Sequence, residues 1–106
     1  MSCALFLFFL LAPLSAYIEP VKQTVDVGKK AILNCSIYGY PIKKVTWYKD
    51  GQPLAPGSHM TLETETALVI DEVARENEGM YQCMVENDQD SAQGSSLLML
   101  GGKINL

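Results

Sequence analysis

Asn77-Glu78-Gly79-Met80-Tyr81-Gln82-Cys83 decides the fold of this chain. From Gly79 onward apolar and polar residues alternate, and Tyr81, Cys83 and Val85 share one face. A period of two marks a half-buried strand. Upstream, Ala31-Ile32-Leu33-Asn34-Cys35 alternates the same way, with Ala31, Leu33 and Cys35 inward. Between the two, Val45-Thr46-Trp47-Tyr48 turns Val45 and Trp47 to one face. Cys35 and Cys83 stand 48 positions apart, and Trp47 follows Cys35 by 12. Two inward cysteines on such strands join two sheets, and an inward indole packs against the bridge. Closing a loop of this length stabilises the fold by about 4 kcal/mol on the chain-entropy model. Tyr81, two before Cys83, is placed to bond its hydroxyl back to the turn that begins near Asn77.

The rest of the chain agrees with an all-β reading. Gly39-Tyr40-Pro41 breaks the second-quarter strand, and Asp50-Gly51 is a hairpin turn signal. The stretch from Gln52 to Ser58 carries Pro53, Pro56 and Gly57, which excludes a long central strand. Met60 and Leu62 alternate, Leu68 and Ile70 point one way, and Val73 continues the apolar set. Ala74 to Gly79 is polar and turn-like; Ser96, Leu98 and Leu100 alternate at the end. No segment sustains a helical period. Seven or eight short strands at this spacing predict an antiparallel β-sandwich.

The 106 residues suffice for one domain. Ala4 to Ala12 is unbroken apolar sequence, followed by Pro13 and the small residues Ser15 and Ala16. The run is too short for a membrane span and reads as an export signal, although no Lys or Arg precedes it. The expected layout is a signal peptide over 1–16, a domain over 17–101, and a tail or linker start over 102–106. Cys3 leaves with the leader, so Cys35 and Cys83 remain as an even pair in an oxidising compartment. The net charge of −4 lies in the domain and argues against nucleic acid as a partner. Membrane contact is expected only through parts outside this chain.

The run from Asn77 to Cys83 resembles the D-x-G-x-Y-x-C signature of intermediate-set immunoglobulin domains. Val45 to Gly51 looks like their third strand and following turn, so Trp47, Leu68, Gly79 and Tyr81 are the expected core signature. Asn77 departs from the usual Asp, and His59-Met60-Thr61 lacks the Arg that pairs with it. A surface pair of that kind is worth at most ~1 kcal/mol, so the fold expectation stands. Gly79 to Cys83, Val85, Asn87-Asp88-Gln89, Ser91-Ala92 and Leu100-Gly101-Gly102 are together similar to the arthropod Dscam family. Pro20 to Gly28 and Pro41-Ile42-Lys43 add to the likeness, which is greatest to the seventh, alternatively spliced domain. A leader directly before such a domain fits the shortened Dscam-type proteins. The resemblance implies a cell-surface, homophilic protein of neuronal recognition.

Chemistry is sparse. His59 is the only histidine, which leaves neither a catalytic triad nor a usual zinc site. Asp88 and Asp90 lack the loop glycine and distal Glu of an EF-hand. No phosphate loop is present, and no cofactor, metal or enzymatic activity is expected. One sequon, Asn34-Cys35-Ser36, lies within a strand around the bridging cysteine and is expected to stay unmodified.

A protein partner is therefore expected, and alternation nominates two faces. On the Cys35 side the outward residues are Thr24, Asp26, Ile32, Asn34, Thr61, Glu63, Ala67 and Val69. On the Cys83 side they are Thr46, Tyr48, Gln82, Met84, Leu97 and Met99. Composition favours the second face, through Tyr48, Met84 and Met99. The family resemblance favours the first and implies an antiparallel two-fold contact with a second copy through Ile32, Asn34, Thr61, Glu63, Ala67 and Val69. The alternative is a heterophilic ligand-binding domain of a receptor or immune-type protein.

Overall fold

Alternating apolar residues build nine strands in the computed structural model, which describes residues 12–55, 57 and 59–101. They are β1 (Ala12–Glu19), β2 (Lys22–Val25), β3 (Ala31–Tyr40), β4 (Lys44–Lys49), β5 (Gln52–Pro53), β6 (Met60–Thr64), β7 (Ala67–Ile70), β8 (Gly79–Glu86) and β9 (Ser91–Leu100). One sheet has the order β1-β3-β7-β6 and the other β2-β9-β8-β4-β5. The predicted sandwich is present, and Cys35 on β3 bonds Cys83 on β8 across it, with Cα atoms 6.3 Å apart.

The inward sets meet as expected. Leu33, Leu68, Ile70, Val73, Tyr81, Val85 and Leu98 are buried around the disulfide and Trp47. Polar groups drawn into this layer must find partners, because an unpaired buried donor is costly. The Trp47 indole N–H donates to the Glu65 carbonyl at 2.8 Å, and the Tyr81 hydroxyl donates to the Asn77 carbonyl at 2.6 Å. Buried Ser96 donates to the Pro20 carbonyl at 2.6 Å, where the chain leaves one sheet for the other. Asp50 and Gly51 both have positive φ and close the two-residue turn between β4 and β5.

Three features depart from the sequence reading. The first strand begins at Ala12, so the expected boundary between Ala16 and Tyr17 falls inside β1. Leu14, Ala16 and Ile18 all enter the core, and Ser15, Ala16 and Tyr17 pair with Tyr38, Ile37 and Ser36. Two glycines make room for this strand: Gly39, at φ +94, lies against the Pro13 backbone, and a side chain on Gly94 would meet the Tyr17 Cα. Most of the expected leader, residues 1–11, and the tail from 102 to 106 lie outside the described residues.

The second departure concerns Thr24 and Asp26, which were expected in the Cys35 sheet. Pro20 has no N–H to continue the β1 ladder, and the chain crosses to run parallel to β9, with Thr24 opposite Met99. Thr24 therefore belongs to the Cys83 sheet, and Asp26 lies just past the end of β2. The third is the length of β3, which runs on through Gly39 to Tyr40 and carries its outward face with it.

Candidate functional site

The outer face of the β1-β3-β7-β6 sheet is assembled by register. Ile32 on β3 stands opposite Val69 on β7, which in turn stands opposite Thr61 on β6. Asn34 sits between Glu19 on β1 and Ala67 on β7. Ile32, Asn34, Thr61 and Glu63 are exposed, and Ala67 is half-buried. Val69 is only 6% exposed. It points outward and is no part of the core cluster, but its neighbours cover it. Val69 is thus a support beneath Ile32 and Thr61 and offers little surface of its own.

The same face carries three aromatic residues that sequence reasoning missed. Tyr17 on β1 is 57% exposed, and Tyr38 and Tyr40 on β3 are 60% and 53% exposed. The Tyr17 and Tyr38 rings meet edge-on at 6.1 Å, a favoured aromatic geometry. Ile32, 43% exposed, lies six residues from Tyr38 on one strand, roughly 20 Å at strand rise. The even positions of β3 held the signal, since Ile32, Asn34, Ser36, Tyr38 and Tyr40 continue one alternation. Ending the strand at the Gly39 break hid it.

On the opposite sheet Met80 of β8 is 40% exposed, but the residues that composition nominates are partly covered. Tyr48, Met84, Leu97 and Met99 are each half-buried. Thr46 opposes Met84 and Gln82 opposes Tyr48, whereas Met99 is far along β9 beside Thr24. Tyr48, Met84 and Met99 do not form one patch.

Charged groups around the sandwich serve the turns. Asp50 accepts the Met80 backbone N–H at 2.9 Å and the Lys49 ammonium at 2.9 Å. The Met80 bond first, and Lys49 after it, hold the Asp50 carboxyl below its ordinary value. The Tyr81 phenol is pushed up to about 12, mainly by burial and further by the charge of Asp50. Asp90 accepts the backbone N–H of Leu14 through one oxygen and of Ser91 through the other. Asp88 pairs with Lys43 in solvent at 2.8 Å. Both aspartates considered for calcium thus hold protein partners, and among the described residues no three His, Cys, Asp or Glu converge on a metal position. His59 is an exposed loop residue.

A family model matches most of this chain. The immunoglobulin I-set domain model covers residues 15–99. The chain belongs to the immunoglobulin I-set family. Within that family it is 47% identical over 94 residues to the cell adhesion molecule Dscam1 of Drosophila melanogaster, covering 89% of this chain and 4% of that protein. It is 35% identical over 81 residues to a vascular endothelial growth factor receptor kdr-like protein of Danio rerio, covering 76% of this chain and 6% of that protein. The crystal structure of the four N-terminal Ig domains of Dscam1 matches with a TM-score of 0.76 at 47% identity, over 86% of this chain and 21% of that one. The structure of the eight N-terminal Ig domains of DSCAM matches with a TM-score of 0.77 at 47% identity, over 87% of this chain and 11% of that one. The chain thus spans a small part of these relatives. This I-set domain resembles those of cell-surface adhesion molecules and receptors, and the family is not enzymatic.

Proposed function

We propose that this I-set domain is a homophilic recognition module that pairs two-fold through the outer face of the β1-β3-β7-β6 sheet. One observation carries the reading. Ile32, Tyr17, Tyr38 and Tyr40 are all exposed on this one face, whereas on the strands of the other sheet Met80 alone of the large apolar residues is exposed and Tyr48, Met84, Leu97 and Met99 are half-buried. Aromatic residues at the centre of an interface supply much of its energy. A two-fold contact sets each residue against a reciprocal one, so a single sequence encodes self-recognition. Likeness to cell adhesion molecules supports the same conclusion.

The finer reading is that the domain is of Dscam type and acts in neuronal self-recognition on the extracellular side of the plasma membrane or in secreted form. Correspondence to the seventh Dscam domain rests on the sequence resemblance alone, since four N-terminal Ig domains match at the same 47% identity as eight. The disulfide and the apolar run from Ala4 to Ala12 support export. Burial of Leu14 and Ala16 supports a folded unit that includes residues ahead of Tyr17. Beads coated with the domain should clump with one another and ignore beads coated with an unrelated I-set domain. A heterophilic receptor-type role is favoured only by the 35% identity to the growth factor receptor. Failure of the coated beads to clump would support it.

A further inference from the structure

We infer that Asn34 is an N-glycan acceptor and that its glycan closes the β1-β3-β7-β6 face to a second copy. The closing half rests on the self-association proposed above.

Two properties of the sequon Asn34-Cys35-Ser36 speak against modification: its middle residue is bridged, and it lies in a strand. Both belong to the folded state. Carbohydrate is transferred to the chain as it is exported, amino terminus first. Cys83 follows Cys35 by 48 residues. β7 and β8, which complete the sheet beside β3 and the bridge, therefore emerge after the sequon has been presented as extended chain. The folded domain then sets no barrier to the product. Asn34 is exposed and points away from the core, with Glu19 exposed on one side and the small Ala67 on the other.

The face does set a barrier. Asn34 lies two residues from Ile32, about 7 Å along the strand, on the side toward Tyr38. It stands between the two apolar ends of the face. Two sheets in contact lie about 10 Å apart, which leaves no room for a branched sugar rooted at the centre. Modification at this atom thus separates a self-associating form from a monomeric one without touching the core.

The test uses the full chain secreted from cultured animal cells. Peptide mapping after enzymatic removal of N-glycans should find the tag at Asn34, and Ser36→Ala should abolish it. Lectin-separated fractions are then run by analytical ultracentrifugation. The glycosylated fraction should be monomeric where the unmodified fraction and Ser36→Ala associate. Absence of glycan at Asn34 would overturn the inference, as would equal association of the two fractions. If glycan is found and both the unmodified fraction and Ser36→Ala stay monomeric, the regulatory half falls together with the self-association reading, and only the acceptor site stands.

Discussion

The backbone N–H of Leu14 donates to a carboxylate oxygen of Asp90 at 3.0 Å, tying the start of β1 to the loop between β8 and β9. The bond joins residues 76 positions apart, and it lies beside the burial of Leu14 and Ala16 in the core. Leu14 and Ala16 thus contribute to the packing of this sandwich.

A chain beginning at Tyr17 should be less stable than one beginning at Ala12. Loss of the buried Leu14 side chain, with the Ala16 methyl and the Asp90 bond, costs about 2–4 kcal/mol. Denaturant midpoints of the two chains, each with the disulfide intact, measure the difference. Equal midpoints would show that the first half of β1 is dispensable. Amino-terminal sequencing of secreted protein gives the companion result: the fold predicts that Leu14 and Ala16 are retained.

Asn77 stands where related domains carry Asp, yet its side-chain oxygen accepts the Ala74 N–H at 2.7 Å. The acceptor is what the turn requires, and Asn and Asp both supply it. Asn77→Asp should be close to neutral, and Asn77→Ala should cost about 1 kcal/mol. Thermal unfolding of the two variants separates an acceptor role from a charge role.

Tyr81 links that same turn to alkaline stability. Its phenol is held neutral up to about 12 in the fold, against 10.0 when unfolded. The raised value makes its contribution complete below pH 10 and lost as pH climbs through about 12. Chemical denaturation between pH 9 and 12 should show a fall in stability that Tyr81→Phe reduces. An unchanged slope in that variant would place the alkaline loss elsewhere.

Asp50 works in the opposite direction. Its carboxyl is lowered from 3.8 by the Met80 N–H and Lys49, so its contribution is present above that value and lost as pH falls through the folded one. Asp50→Asn retains a residue that tolerates the positive φ at this position. It should weaken the pH dependence of stability on the acid side, measured by denaturant titration from pH 6 to 2.

Local pattern carries some of these features and tertiary contacts carry the rest. Cys35, Trp47, Tyr81 and Cys83 declare themselves through spacing and alternation, which are local properties of strands. The first strand does not, because Leu14 and Ala16 close an apolar run whose hydrophobicity suits a leader as well as a core. Alternation alone puts Thr24 in the wrong sheet, because the crossing at Pro20 is fixed by parallel pairing of Lys22 with Leu97, a contact invisible to local pattern. Alternation turns Val69 outward but does not show its coverage, which depends on Ile32 and Thr61 across two strands. Tyr38 and Tyr40 are hidden from local pattern because Gly39, a glycine at positive φ, reads as a break although β3 runs on through it.

Sedimentation equilibrium of the secreted, unglycosylated domain tests the central claim most directly, beside Ile32→Asp and Met84→Asp. An interface of roughly 1,200 Å² on this face should give weak, about micromolar association. Ile32→Asp places a like charge near its own symmetry mate and should leave only monomer, with the fold intact by circular dichroism. Met84→Asp, on the opposite sheet, should associate as the unmutated domain does. Dissociation by Met84→Asp alone, or a monomer at every concentration for the unmutated domain, would contradict the account.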